Sequence, residues 1–276
     1  MQAKILVSTV IPTYNSAPYL ERCLTSIKNQ TYPHIEIIVV DNHSKDKTGQ
    51  IAQLYGNVYI KGPERCSQRN YGTSKASGDF FFFIDSDMEL EPEVVDECVH
   101  EVLNRNIDAI VIPEISVGDG FWTRCKALER SCYIKDSLIE AARFIKKKAF
   151  LEVNGYDENL VAAEDWDLSL RIKKAGFSFS RINALIKHHE GRLNLKNTIR
   201  KKYSYGLTIS RYIEKHKEES KKQFMLIRPS YLRNYKRLLQ HPVLTMGFII
   251  MKTCELGAFT WGMILNKYFA NYDFKD

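Results

Sequence analysis

Residues 80–88, FFFFIDSDM, place four aromatics and an isoleucine directly before two carboxylates, Asp85 and Asp87. A run this apolar fits a strand buried on both faces, of the kind found inside a parallel sheet. Two carboxylates buried in such a strand without partners would be costly. They therefore belong past its carboxyl end, where open α/β sheets bind ligands. Paired oxygens on a rigid edge suit a hard divalent cation that also touches phosphate. The same letters also fit a strand followed by an acidic turn, since Met88, Glu89, Leu90, Glu91 and Pro92 lead into a polar helix start.

The surrounding pattern alternates strand and helix. Ile5 to Ile11 reads as a strand, followed by a Pro12–Tyr14 loop, and Ala17 to Gln30 as a helix with Ser16 as its N-cap. Ile35 to Val40 is a second buried strand ending at Asp41. A helix from about Lys47 to Tyr55, a short strand Val58 to Lys61 and a helix Arg65 to Ala76 follow, the last closed by Gly78 at a C-cap position. Beyond the phenylalanine strand come a helix from Glu91 to Asn104 and a strand from Ala109 to Pro113. This βαβαβ rhythm predicts a mostly parallel, doubly wound sheet flanked by helices. Asp41 and Asp85/Asp87 then share one crevice, which a nucleotide pocket explains better than two unrelated acidic turns.

Five pieces in order over roughly residues 5–192 resemble the family 2 glycosyltransferases. They are VSTVIPTYN, IEIIVVDNHSKDKT, RNYGTSKASGDFFFFIDSD, FLEVNGYDENLVAAEDWDLSLRIKKAGF and KHHEG. The resemblance implies an α/β GT-A nucleotide-diphospho-sugar transferase fold and an inverting, metal-dependent transfer from a nucleotide sugar, with a UDP-sugar as the default. It gives Pro12, Thr13, Tyr14, Asn15, Asp41, Arg69, Asp85 and Ser86 to the nucleotide-sugar side. Mg²⁺ or Mn²⁺ would sit at Asp87, with Asp85 nearby and His188 as a further ligand, His189 being the alternative. Asp165 becomes the general base, with Glu164 beside it able to raise its pKa. Gly155, Tyr156 and Trp166 fall on the acceptor side.

Each assignment has a simpler competitor. Glu164 and Asp167 also fit an acidic first turn on a helix Trp166 to Ala175. Arg69 also fits a helix surface, and the histidine pair a strand end after the apolar run Ile182–Ile186. Asn154 stands where the family usually has a second glycine, and asparagine tolerates positive φ. None of Trp122, Trp166 and Trp261 lies in the Gln-x-x-Arg-Trp motif of processive synthases, which points to single additions. A sugar nucleotidyltransferase would show a glycine-rich phosphate loop near the first strand. A non-catalytic, membrane-associated carbohydrate-binding protein would have lost the carboxylates.

Charge divides the chain. Residues 1–191 carry 23 Lys+Arg against 27 Asp+Glu, whereas residues 192–240 carry 14 against 3. The expected organisation is a catalytic domain over 1–191, with a nucleotide half to about 113 and an acceptor half from about 114, then a basic helical extension over 192–276. Next to the basic block, residues 243–265 are almost continuously apolar, a length sufficient to span a bilayer. Lys252 and Glu255 near its middle are costly at a bilayer centre. They favour a helix lying in the interface or docked on the enzyme, with that face kept wet. The partners implied are a nucleotide-sugar donor, a glycan or polyprenol-linked acceptor and an anionic cytoplasmic membrane surface. Nucleic acid would not account for the apolar segment. The six cysteines form no CxxC pair, and Lys4 is followed by a strand-like run rather than a secretory signal, which places the chain in a reducing cytoplasm, peripheral or monotopic on the inner membrane face.

Overall fold

The structure is a computed structural model that describes residues 4–225 and 228–272. Parts of the basic extension, residues 226–227 and 273–276, lie outside the described residues. The strands are β1 (Val7–Thr13), β2 (Ile35–Asp41), β3 (Asn57–Ile60), β4 (Phe80–Phe83), β5 (Met88–Leu90), β6 (Ala109–Val111), β7 (Glu114–Val117), β8 (Ala142–Lys146), β9 (Phe179–Arg181) and β10 (Ile186–His189). Seven form one sheet in the order β3–β2–β1–β4–β8–β6–β9, and three form a second in the order β5–β10–β7. The helices are α1 (Ala17–Lys28), α2 (Thr48–Gln53), α3 (Arg65–Ser74), α4 (Val94–Arg105), α5 (Phe121–Ser131), α6 (Lys147–Glu152) and α7 (Glu164–Lys174). They continue with α8 (Leu195–Thr208), α9 (Ser210–Lys215), α10 (Lys217–Gln223), α11 (Pro229–Arg233), α12 (Tyr235–Gln240) and α13 (Pro242–Tyr272).

Two compact units result. The first comprises Met1–Ile115, Glu140–Glu158 and Glu164–His189, and the second Ser116–Ile139, Asn159–Ala163 and Glu190–Asp276. The first unit is the α/β body with the GT-A arrangement. β4 lies at its centre, parallel to β1 and antiparallel to β8. Its alternation splits the four phenylalanines between two cores. Phe80 and Phe82 pack with residues of α1 and α4, and Phe81 and Phe83 with Phe150, Leu168 and Ile172 on the opposite face. All four are buried, each worth roughly 1.5–3 kcal/mol of transfer free energy. The parallel register sets Thr13 beside Asp41 and Val10 beside Phe83, so the carboxyl ends of β2, β1 and β4 meet at one edge.

Local expectations needed correction at three places. Gly78 does not cap α3, whose cap is Lys75. It is a close-approach glycine, since a Cβ there would stand 2.4 Å from Ser8 Oγ and 2.7 Å from Leu6 O. Ser16 occupies the N-cap position of α1 but makes no capping hydrogen bond from its side chain. Most of the apolar run Ile182–Ile186 folds as a loop and not as a strand, and the histidine pair forms the carboxyl end of the short β10 that follows it.

The second unit is helical. α13 packs on α8 and α5. Its length and composition would suffice to cross a membrane. The wet face expected for Lys252 and Glu255 is instead turned inward. Lys252 Nζ pairs with Glu129 on α5 and lies 3.0 Å from Glu255 Oε2, while Glu129 is fully buried and Glu255 nearly so. A buried carboxylate needs such partners, and α5 supplies the site at which the cation is shared.

Candidate active site

The site lies within the first unit, at the carboxyl edge of β2, β1 and β4. Asp41 ends β2 and is buried. Its carboxylate accepts from Thr13 Oγ1 at 2.8 Å, from the Ser44 amide at 2.8 Å and from Ser44 Oγ at 2.5 Å. Asn15, at φ 47°, closes the same loop, its Oδ1 accepting from the Lys45 amide at 2.9 Å. Tyr14 is exposed, Pro12 and Thr13 are buried, and Ser86 Oγ donates to Ser16 Oγ at 3.0 Å. These residues therefore line one rim, with Asp41 acting as its internal tie.

Arg69 is the hub. It projects from α3, is fully buried, and reaches three carboxylates. Nη2 donates to Asp85 Oδ1 at 2.7 Å, and Nη1 to Asp165 Oδ1 at 3.1 Å and Glu164 Oε1 at 3.5 Å. Arg65, one helical turn earlier and partly exposed, lies 3.0 Å from the same Glu164 oxygen. The Tyr156 ring sits 5.0 Å from the Arg69 guanidinium carbon, and its hydroxyl donates to Asp165 Oδ1 at 3.1 Å. Both bonds to Asp165 thus fall on Oδ1, and Oδ2 accepts none among the described residues. The turn that delivers Tyr156 needs its unusual backbone. Asn154 takes φ 59° and Gly155 φ 64°, and a Cβ on Gly155 would stand 2.7 Å from Asn70 Oδ1. Trp166 follows on the first turn of α7, which begins at Glu164, two residues earlier than the pattern suggests.

Asp85 and Asp87 diverge. Asp85 faces Arg69 and also Arg143, whose Nη2 is 3.7 Å from Oδ2. Burial alone would raise its carboxyl, but Arg69 and Arg143 outweigh this and hold it well below the ordinary range. Asp87 is more exposed, and its Oδ2 lies 3.2 Å from His188 Nε2. The other ring nitrogen of His188 stands 3.8 Å from Glu114 Oε2, and Glu114 accepts from Arg143 Nε at 2.5 Å. His189 is engaged elsewhere. Arg22 donates to its Nδ1 at 2.9 Å, so its Nε2 donates to Glu89 at 2.6 Å. Burial, then the neighbouring Asp165 charge, push the Glu164 carboxyl up against the pull of Arg65 and Arg69.

Arg143 and Glu114 were absent from the sequence reading. Their signal there was a charge within each of two short strand segments, ARFIK and EISV. Among the described residues, no three His, Cys, Asp or Glu side chains gather as a metal cage. The donor set of Asp87 and His188 still fits Mg²⁺ or Mn²⁺, because such ions are held by one or two protein ligands and completed by substrate phosphate and water.

The depressed Asp85 carboxyl has a consequence for acid stability. Folding then binds fewer protons than the unfolded chain does, so the contribution is present above the ordinary value of 3.8 and is lost as pH falls below it. Urea titrations between about pH 5 and 2.5 should show stability falling steeply with acid, and less steeply in Asp85→Asn. An identical slope in both proteins would contradict this account of the Asp85 carboxylate.

Comparison with known proteins gives the family and the fold. The chain matches Glycosyl transferase family 2 over residues 8–156 and Glycosyltransferase like family 2 over residues 122–226. It is 27% identical over 235 residues to the chondroitin synthase of Pasteurella multocida, covering 77% of this chain but only 24% of that protein. The chain thus spans about a quarter of the length of this relative. Among solved structures it resembles the mannosyltransferase PcManGT of Pyrobaculum calidifontis in complex with GDP-Man and Mn²⁺, with TM-score 0.67, 15% identity, and coverage of 96% of this chain and 89% of the other. It also resembles residues 1–349 of S. aureus TarS in complex with UDP-GlcNAc, with TM-score 0.57, 17% identity, and coverage of 96% and 92%.

Proposed function

The chain belongs to the family 2 glycosyltransferases, and from that premise we propose that it moves a sugar, with inversion, from a nucleotide-diphosphate donor to a glycan or polyprenol-linked hydroxyl. The observation that carries this reading is Asp165. Its Oδ1 is pinned by Arg69 and Tyr156, while Oδ2 is left to accept a proton. The incoming hydroxyl gives its proton to Oδ2 as its oxygen bonds to the anomeric carbon. The bond from that carbon to the diphosphate oxygen breaks, and the nucleoside diphosphate leaves from the opposite face. Holding the base rigidly beside the attacking oxygen is worth more than its charge alone.

The donor side is built from Pro12, Thr13, Tyr14, Asn15, Asp41 and Ser86, with Arg69 fixing Asp85 at the diphosphate end. Asp87 and His188 would hold the divalent cation. Bound there, Mg²⁺ or Mn²⁺ supplies Lewis-acid neutralisation of the departing diphosphate. A UDP-sugar is the first donor to test, because the TarS neighbour is in complex with UDP-GlcNAc, with a GDP-sugar second because of PcManGT. Trp166, at the mouth beside Asp165, offers an apolar face to the acceptor.

Release of nucleoside diphosphate from a panel of nucleotide sugars, with Mg²⁺ or Mn²⁺, tests the reading. Asp165→Asn is expected to lower kcat by about 10²- to 10³-fold with donor affinity nearly unchanged. No release from any donor, or full activity in Asp165→Asn, would overturn it.

A further inference from the structure

We propose that the second unit binds an anionic lipid bilayer through the outward face of α13, with the helix lying along the surface and not crossing the membrane. This rests on no assumption about the transferred sugar. Of the exposed large hydrophobic side chains in the described residues, those from Met225 onward outnumber all the rest, and most lie on α13. Val243, Met246, Ile250, Trp261, Ile264 and Tyr268 fall at spacings that keep one helical face, and all are exposed, Val243 by 70% and Trp261 by 57%. Thr253 on that face is satisfied within the helix, its hydroxyl donating to Ile249 O at 2.9 Å. A face of this length left uncovered by the described residues is unusual for a soluble surface.

The opposite face is occupied. Phe248 and Met251 pack with Tyr231 and Cys125. Gly247 admits Phe121, and Gly262 meets α8 so closely that a Cβ would stand 2.4 Å from Tyr203 O. Lys252 and Glu255, the only charges in the middle of the apolar segment, are spent on Glu129 of α5. A crossing helix would have to leave both neighbours and expose these ions to hydrocarbon. A helix held this way can insert only its bare side, as interfacial helices do.

Charge selects lipid over a second copy of the chain. Residues 220–251 contain six Lys or Arg and no Asp or Glu, and exposed Leu232, Tyr235 and Leu239 continue the apolar surface between these cations. Two copies meeting here would juxtapose like charges, whereas anionic headgroups complement them. Trp261, Tyr235 and Tyr268 are the side chains that favour the water–lipid boundary.

Flotation of the full chain tests this. It should float with phosphatidylcholine vesicles containing about 30 mol% phosphatidylglycerol, and be released by about 1 M salt, where the Debye length falls to about 3 Å, or by alkaline wash. Arg233→Gln/Lys236→Gln should weaken partition by roughly thirtyfold, and Ile250→Glu/Ile264→Glu by at least about tenfold, with unchanged circular dichroism. Nucleoside diphosphate release with a water-soluble acceptor should be unaltered in both, so failure here is separable from failure of the transfer reading. Retention in the unbound fraction with anionic vesicles would overturn the proposal. So would resistance to alkaline wash, which indicates a crossing helix. A vesicle-free dimer dissolved by Ile250→Glu/Ile264→Glu would assign the face to a second copy.

Discussion

Asp87→Ala is expected to reduce turnover by about 10⁴-fold and to remove the response to Mn²⁺, because several kcal/mol of charge stabilisation on the leaving diphosphate would go with the cation. The residue owes this weight to its surroundings. Asp85, two residues away, is committed to Arg69 and Arg143, whereas Asp87 is more exposed and, among the described residues, pairs through its side chain with His188. An Asp87 carboxylate lost to alanine leaves His188 as a single neutral donor, which is too little to hold a hard cation. The substitution should leave folding almost unaffected, since a partly exposed ion pair contributes little. Steady-state kinetics across a Mn²⁺ series, with calorimetry of Mn²⁺ binding in the presence of nucleoside diphosphate, check both halves. Normal Mn²⁺ affinity in Asp87→Ala would remove this residue from the cation site.

Arg69→Met should act on the fold instead. It removes one fully buried cation from beneath Asp85, Glu164 and Asp165, and a buried ion network that loses one partner is destabilised by about 3–5 kcal/mol. Arg65 and Arg143 remain and keep part of the compensation, so the lower end is expected. Urea unfolding measures it. Adding Glu164→Gln to Arg69→Met should recover part of the loss, because it removes a carboxylate left without its cation. If Arg69→Met unfolds at the same urea concentration as the parent, the hub carries no structural load.

The central strand and the order of the acidic positions were legible in the sequence. Four phenylalanines before a carboxylate allow few placements, and the short strand–helix alternation set the parallel neighbours on either side. Arg143 and Glu114 were not legible, because Arg143 arrives on β8, which enters the large sheet antiparallel between β4 and β6, and Glu114 arrives on β7 of the second sheet. The separate fates of Asp85 and Asp87 followed from the same cause. Spacing placed both at the strand end, and the positions of Arg69 and Arg143 show which one is enclosed. Lys252 and Glu255 illustrate a different limit. Their spacing gave them a common helical face, but the identity of the buried Glu129 opposite is a tertiary fact. Gly78 was assigned to a helix end by its position, while its requirement comes from the backbone of β1 passing alongside.

The shared cation at Arg69 also changes how substitutions in this site must be interpreted. One guanidinium holds Asp85 together with Glu164 and Asp165, so the three carboxylates share one partner and are not independent of each other. Neutralising Asp85 strengthens the grip of Arg69 on Asp165, and neutralising Asp165 does the same for Asp85. A defect in Asp85→Asn therefore cannot be assigned to donor recognition from its own kinetics, and only cycles of paired substitutions separate the two sides.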